Sequence, residues 1–135
     1  VELKELHLGP CLLKTTGAKA LGEFLGKNPP LEVLNLWCCF MDDDATEAVF
    51  RSLEGNSNLK RLNICYNVFT ERAGTMIQEY LKTTQSLEEL VLYSESCALE
   101  WATDSFPTSV ELCTKDDEVW ESEWLRTDPN LRVWD

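Results

Sequence analysis

The sequence has few of the side chains on which catalytic and metal sites depend. It contains one histidine, His7, and it lacks a Gly-rich phosphate loop, a CxxC pair and a GxSxG segment. His7, Cys38 and Cys65 are the nearest approach to a thiol or zinc site. Their predicted positions on adjacent strands differ by about three residues, or roughly 10 Å, which is too far for shared coordination. The sequence therefore predicts a protein with no catalytic residues, no metal and no cofactor.

Basic residues are also scarce, with 12 lysines and arginines against 24 acidic residues, and the net charge is −12. An acidic surface repels the phosphates of nucleic acids, so that class of partner is disfavoured. No apolar run reaches the roughly 18 residues that a membrane span needs, so no membrane association is predicted. The same charge favours a basic protein partner, although it would also serve solubility alone.

What the sequence does contain is a repeat of 28 residues. Its four copies read LKELHL, LEVLNL, LKRLNI and LEELVL, and they begin at Leu3, Leu31, Leu59 and Leu87. The pattern LxxLxL ends in a short alternating run, which predicts a strand with its leucines pointing inward. A tight turn that favours a small side chain follows each of the first three strands, at Cys11, Cys39 and Asn67.

Helices are predicted after these turns, over residues 17–26, 45–54 and 71–82, with N-caps at Thr16 and Asp44 for the first two. Alternating strands and helices require parallel strands with the helices outside them. The predicted fold class is therefore α/β, a leucine-rich repeat solenoid with strands on its concave face and helices on its convex face. We expect residues 1–135 to form a single domain of this kind.

The closing unit, residues 87–135, is longer than the others by 16 residues. The extra material lies in residues 95–117, where Pro107 and many Ser and Thr residues predict a surface loop or small hairpin. A short helix over residues 118–126 is predicted to follow. Because Leu3 and Leu6 open the first strand with no polar segment before them, we expect the chain to be the C-terminal part of a longer solenoid.

The cysteines follow the repeat and not the spacing of a disulfide framework. Cys11 and Cys39 occupy the same place in successive units, and Cys38 is beside one of them. Cysteines placed in this way behave as small buried apolar side chains, which indicates a reducing compartment. The predicted location is the cytoplasm.

The strand positions between the leucines are predicted to face solvent on the concave side. Trp37, Tyr66 and Tyr93 would then form an aromatic row on neighbouring strands, beside Arg61. Aromatic residues and arginine are enriched among the residues that dominate binding energy. The candidate partner-binding residues are Glu5, His7, Asn35, Trp37, Arg61, Asn63, Tyr66, Glu89 and Tyr93. In the alternative interpretation, the rings only pack on adjacent turns and the charged side chains are only solvated.

The unit LxxLxLxxC, with its helix and an exit of the form LxxNxxL, resembles the ribonuclease inhibitor type of leucine-rich repeat. The leucine-rich ends of NOD-like receptors are similar. The segment LEELVLY and the final DPNLRVWD resemble the closing repeat of ribonuclease inhibitors, and Trp37 falls where that family places a concave tryptophan. The chain departs from that closing repeat at Ser94, where the family has an acidic residue, and at Ser96, where it has a tyrosine.

The resemblance implies a cytosolic, non-catalytic protein with free thiols that holds a basic pancreatic-type ribonuclease against its concave face. Two other functions are compatible with the repeats. The first is the ligand-sensing or autoinhibitory end of a NOD-like receptor, which an upstream Walker-type nucleotide site would identify. The second is a structural scaffold that binds its partner on the convex, helical face.

Overall fold

The computed structural model describes residues 3–92 and 111–113 of the chain. The strands are β1 (Glu5–His7), β2 (Val33–Asn35), β3 (Arg61–Asn63), β4 (Glu89–Val91) and β5 (Glu111–Cys113). The helices are α1 (Lys14–Gly26), α2 (Asp43–Ser52) and α3 (Glu71–Thr83), and a short 3₁₀ turn at Leu53–Gly55 follows α2. Within these ranges, no helix has both the length and the apolar character needed to cross a membrane.

The strands form one parallel sheet in the order β1 to β5. The central leucine of each strand is paired with the same leucine of the next, in the series Leu6, Leu34, Leu62 and Leu90. The offset of 28 residues is therefore kept from β1 to β4, and side chains at one place in the repeat stack at roughly the 4.8 Å spacing of paired strands. The predicted strands and the α/β class are confirmed.

The main hydrophobic core lies between the helices and one face of this sheet. Strand and turn residues such as Leu34, Leu36 and Met41 are fully buried there against Val49 and Phe50 of α2. Most of its members are aliphatic, and each buried leucine or valine contributes about 1.5–3 kcal/mol relative to exposure. Stacked units thus share one continuous apolar layer, which no single unit could form alone.

The first two helices begin earlier than predicted, whereas α3 begins at Glu71 as predicted. The α1 helix starts at Lys14 with no side-chain cap, so Thr16 lies inside it and the predicted cap at Thr16 is wrong. Asp42, and not Asp44, caps α2, because its Oδ1 accepts a hydrogen bond from the Ala45 N–H at 2.9 Å. A carboxylate at this position satisfies an N–H that the first helical turn leaves without a partner.

Asp43 connects α2 to the start of α3. Its Oδ1 accepts hydrogen bonds from the backbone N–H groups of Thr70 at 2.7 Å and Ala73 at 3.1 Å, and its Oδ2 accepts from the Thr70 hydroxyl at 2.6 Å. Partial burial raises the pKa of Asp43, but these hydrogen bonds outweigh it and leave the pKa below its ordinary value. One unit therefore caps the helix of the next.

Asn67 performs a similar function inside the core. Its Oδ1 accepts hydrogen bonds from the N–H groups of Cys39 at 2.9 Å and Met41 at 3.0 Å, and its Nδ2 donates to the carbonyls of Leu36 and Ile64, both at 2.9 Å. The buried amide thus pairs four backbone groups in two successive turns. The prediction of a small side chain bonded to buried backbone is confirmed at this position.

Gly9 allows the first two turns to approach closely. A Cβ atom built at Gly9 would lie 1.7 Å from the carbonyl oxygen of Trp37, a distance that no side chain permits. The residue is buried in this contact. Glycine is required here by the approach of one backbone to another.

The segment 95–117 contributes to the sheet, contrary to the prediction of a loop or small hairpin. Residues Glu111–Cys113 form β5, which pairs in parallel with β4 and places Leu112 opposite Leu90. The offset between these partners is 22 residues where the earlier units have 28. The leucines that mark the earlier strands do not recur here at the 28-residue spacing, so the repeat did not predict this strand. The predicted helix over residues 118–126 lies outside the described residues.

Candidate functional site

The sheet face opposite the helices carries a second, smaller apolar cluster. Trp37, Cys65 and Val91 are buried in it, and Val33, Cys38 and Tyr66 pack around them with part of their surface exposed. Successive residues of a strand point to opposite faces, so these side chains project away from the leucine core. Among the described residues, α1, α2 and α3 contribute no side chain to the cluster. We call it the sheet-face cluster.

Trp37 and Tyr66 are the aromatic pair of the sheet-face cluster. Their ring centroids are 6.3 Å apart and their planes meet at 83°, an edge-to-face arrangement that adds about 0.5–1.5 kcal/mol to the burial itself. The predicted row is therefore present for these two rings. Tyr93, its third member, lies outside the described residues.

The predicted exposure of Trp37 is wrong. Only 6% of its surface is exposed, because the ring packs on the next unit, as the alternative interpretation proposed. Its indole Nε1 has no hydrogen-bond partner among the described residues. A buried donor without a partner costs about 1–3 kcal/mol. The burial of this Trp37 donor beside Tyr66 therefore lowers the free energy of unfolding by about this amount.

Asn35 and Asn63 were also predicted to face solvent, and that prediction is wrong. Both are fully buried. Their Oδ1 atoms accept hydrogen bonds from the turn N–H groups of Trp37 at 3.1 Å and Cys65 at 3.0 Å. Backbone donors at these turns need a partner, and the amides provide it. The two residues fix the turns that position the cluster, which is a structural role.

The charged candidates surround the cluster and keep access to solvent. Glu5 and His7 are exposed on β1, with 3.8 Å between Glu5 Oε1 and His7 Nε2, and Asn35 Nδ2 lies 3.3 Å from His7 Nδ1. Arg61 and Glu89 are half-buried neighbours in register, and their side chains pair at 3.4 Å. Their predicted exposure is thus confirmed in full for β1 and in part for β3 and β4. Their role in binding a partner stays a prediction.

Burial makes Cys38 and Cys39 poor nucleophiles. Cys11 Sγ and Cys39 Sγ lie 3.7 Å apart, and four cysteines are free: Cys11, Cys38, Cys39 and Cys65. Burial, and secondarily the proximity of Cys11, raises the pKa values of Cys38 and Cys39 above the ordinary thiol value. Neutral thiols neither attack substrates nor ligate zinc readily. Across residues 3–92, no group of three or more His, Cys, Asp or Glu side chains is arranged to hold a metal ion.

A shallow cleft of about 410 Å³ lies at another part of the surface. It is bounded by the end of α2, the 3₁₀ turn and the end of α3, with Leu53, Tyr80 and Thr84 in its wall. Its lining consists mainly of turn residues and contains no cluster of charged groups. The sheet-face cluster, with aromatic, apolar and charged side chains together, is the better candidate for a binding site.

A further apolar feature was missed by the sequence analysis. Leu12, Phe40 and Val68 follow the turn residues of three successive units at the 28-residue interval, and all three are exposed. The signal was present in the sequence as an apolar residue between two inward-facing positions in each unit.

Comparisons with known proteins give a fold but no family. No protein-family model matches the chain, and no curated protein matches it. The solved structure "Leiomodin-1 Actin-Binding Site 2 (ABS2)" is similar, with a TM-score of 0.72 and 18% sequence identity over 83% of this chain and 70% of that chain. At this level of identity the similarity shows a shared fold.

Proposed function

We propose that the chain is a non-catalytic, cytoplasmic leucine-rich repeat solenoid that binds another protein on its sheet face, with a basic protein as the preferred partner. The 28-residue register of β1 to β4 supports the solenoid. The solved structure of similar fold is, by its title, an actin-binding site, which supports protein binding as the class of function.

One observation carries the proposal. The sheet-face cluster combines an aromatic pair with partly exposed apolar and charged side chains on the face of the sheet opposite α1, α2 and α3. Tyr66 is the partly exposed ring of the cluster, and the buried ring of Trp37 packs against it. Rigid aromatic anchors surrounded by polar groups are the usual centre of a protein interface. Glu5, Glu89 and a net charge of −12 favour a basic partner.

The resemblance to ribonuclease inhibitors makes a pancreatic-type ribonuclease the first probe. We expect calorimetric titration of the full chain to show saturable binding that weakens between about 0.05 and about 0.15 M salt. Tyr66→Ala should weaken it at least about tenfold, as expected for an aromatic anchor. Glu89→Gln should weaken it less and reduce its salt dependence. Arg51→Ala, on the exposed side of α2, is the matched control and should change nothing.

Actin is the second probe, since the structure of similar fold is an actin-binding site. Binding of actin and not of the ribonuclease would overturn the basic partner while leaving a protein-binding module. Binding that survives Tyr66→Ala but is lost in Arg51→Ala would contradict the sheet face and favour the convex, helical face.

A further inference from the structure

Three exposed apolar side chains form a row at the edge where the strands lead into the helices. Leu12 is 63% exposed, Phe40 54% and Val68 46%. They are equivalent residues of successive units, 28 positions apart. Single exposed apolar residues are common on proteins, but a contiguous apolar patch marks an interaction surface. We call Leu12, Phe40 and Val68 the edge row.

The backbone holds the edge row in a fixed geometry. The Leu13 N–H donates to the Cys39 carbonyl at 3.2 Å, and the Val68 N–H donates to the Met41 carbonyl at 3.0 Å, so neighbouring turns are bonded to each other. Phe40 itself has a φ of 54°, in the left-handed region that an aromatic residue rarely occupies. The hydrogen bonds between the turns fix the backbone that carries the edge row, so binding there does not need to order a loop.

Carboxylates border the edge row. Asp42 and Asp44, at the start of α2, and Glu71, at the start of α3, are all exposed. Arg72, exposed beside them, is paired with Asp44 and, at 3.4 Å, with Glu47, and Lys14 is exposed at the start of α1. The border therefore contains both signs of charge, with carboxylates in the majority. An apolar row with an acidic border is complementary to an apolar surface with a basic border.

The spacing of the edge row matches one kind of occupant. Stacked units are separated by roughly 4.8 Å, and one turn of an α-helix rises about 5.4 Å. A helix with an apolar residue on each of three successive turns would therefore meet the three side chains in sequence. A second copy of the chain is a poorer occupant, because it carries the same acidic border and a net charge of −12.

We propose that the edge row docks a cationic amphipathic helix of a partner protein. Its apolar stripe packs on Leu12, Phe40 and Val68, and its lysines or arginines meet Asp42, Asp44 and Glu71. This surface is separate from the sheet-face cluster and adds a second contact to the proposed function. An anionic membrane is a poorer occupant because the same carboxylates repel it.

The test uses a synthetic 18-residue peptide with leucines on one helical face and lysines on the other, measured by fluorescence anisotropy against the full chain. The variant Leu12→Gln, Phe40→Asn, Val68→Thr should lower the affinity at least about tenfold, since it removes the apolar contact. Asp44→Asn should lower it about twofold and flatten the salt dependence. Leu3→Gln is the matched control, because Leu3 is an apolar residue of similar exposure, 46%, outside the row.

Each result decides for or against the edge row. Equal affinity for the triple variant and the wild type, or equal binding of a peptide with the same composition and scattered leucines, would overturn the proposal. Should the triple variant not fold, Phe40→Asn alone answers the question, because asparagine tolerates the left-handed backbone. Preferential binding of anionic vesicles over the peptide would also overturn it. Tyr66→Ala should leave peptide binding unchanged, so failure of the sheet-face proposal and failure of this one are distinguishable.

Discussion

The two faces of the sheet differ in what their buried polar groups bond to. On the helix side, the buried amide of Asn67 has a hydrogen-bond partner for each of its polar atoms, whereas the buried hydroxyl of Thr46 in α2 has none among the described residues. On the other side, the indole Nε1 of Trp37 and the amide Nδ2 of Asn63 are buried with no partner among the described residues. Native proteins leave few such groups, because each costs about 1–3 kcal/mol.

This difference indicates that the two faces of the sheet have different roles. The helix side is built for stability, since its apolar layer is continuous and its turns are bonded across units. The sheet-face cluster contains a buried donor, Trp37 Nε1, without a partner in the described part of the chain, which lowers stability. Local costs of this kind are typical of surfaces that have a function other than stability. Three changes test whether stability and binding are in fact separated in this way.

The largest effect is expected for Asn67→Ala. The change leaves two N–H and two carbonyl groups without their partners in the core, and we expect a loss of about 4 kcal/mol from the free energy of unfolding. Urea denaturation followed by circular dichroism measures it. Gln85→Ala is the control, because Gln85 is an exposed amide outside the buried turn network. Similar losses for both variants would contradict the importance of the buried turn network.

A smaller effect is expected for Asp43→Ala, which removes the cap that α2 provides to α3. We expect a loss of about 1 kcal/mol at pH 7, the usual value of a helix cap. Because the pKa of Asp43 is lowered in the folded state, its carboxylate stabilises the fold above the unfolded pKa, and this contribution is lost as the pH falls through the folded pKa.

The difference between Asp43→Ala and the wild type should therefore shrink as the pH is lowered below the ordinary aspartate value of 3.8. Denaturation of both proteins at several pH values measures the trend. Asp44→Ala is the comparison, because Asp44 is exposed and bonded only to the side chain of Arg72 among the described contacts. A difference that does not change with pH would show that packing and not the carboxylate matters at Asp43.

The smallest effect on stability is expected for Trp37→Phe. The smaller ring loses contact area, but the change also removes an unpartnered buried donor, so the two terms nearly cancel and we expect a change below about 1 kcal/mol. Leu36→Ala, at the adjacent residue on the helix side, should cost about 3 kcal/mol. Thermal denaturation of the two variants compares the faces directly. A loss for Trp37→Phe as large as that for Leu36→Ala would remove the distinction between them.

The leucine period was sufficient to predict the strands, their parallel pairing and the α/β class, because burial of Leu34, Leu62 and Leu90 is imposed by the repeat itself. It was not sufficient for the starts of the first two helices. Asp42, Asp43 and Asp44 are three consecutive candidate caps, and the choice among them depends on how the turn is bonded to the neighbouring unit. The strand at Glu111–Cys113 was missed because it follows a shortened interval.

The candidate site was predictable only in part. Alternation along a strand shows which side chains share a face, so Trp37 and Tyr66 were correctly placed together. It does not show what covers that face. Asn35 and Asn63 were therefore expected in solvent although each accepts a hydrogen bond from the turn N–H two residues later, a local requirement that strand alternation does not record. The edge row lies beyond the strands, where alternation no longer indicates which side chains are exposed.

The contact at Gly9 has a consequence for how the molecule tolerates change. With only a hydrogen atom separating two chain segments, the distance between the first and second units is set by the smallest side group available. Even one added methyl group would force the segments apart. Because the opposing atom is the carbonyl oxygen of Trp37, this shift would displace the Trp37–Tyr66 pair. A position outside the sheet-face cluster can thus control the shape of that cluster.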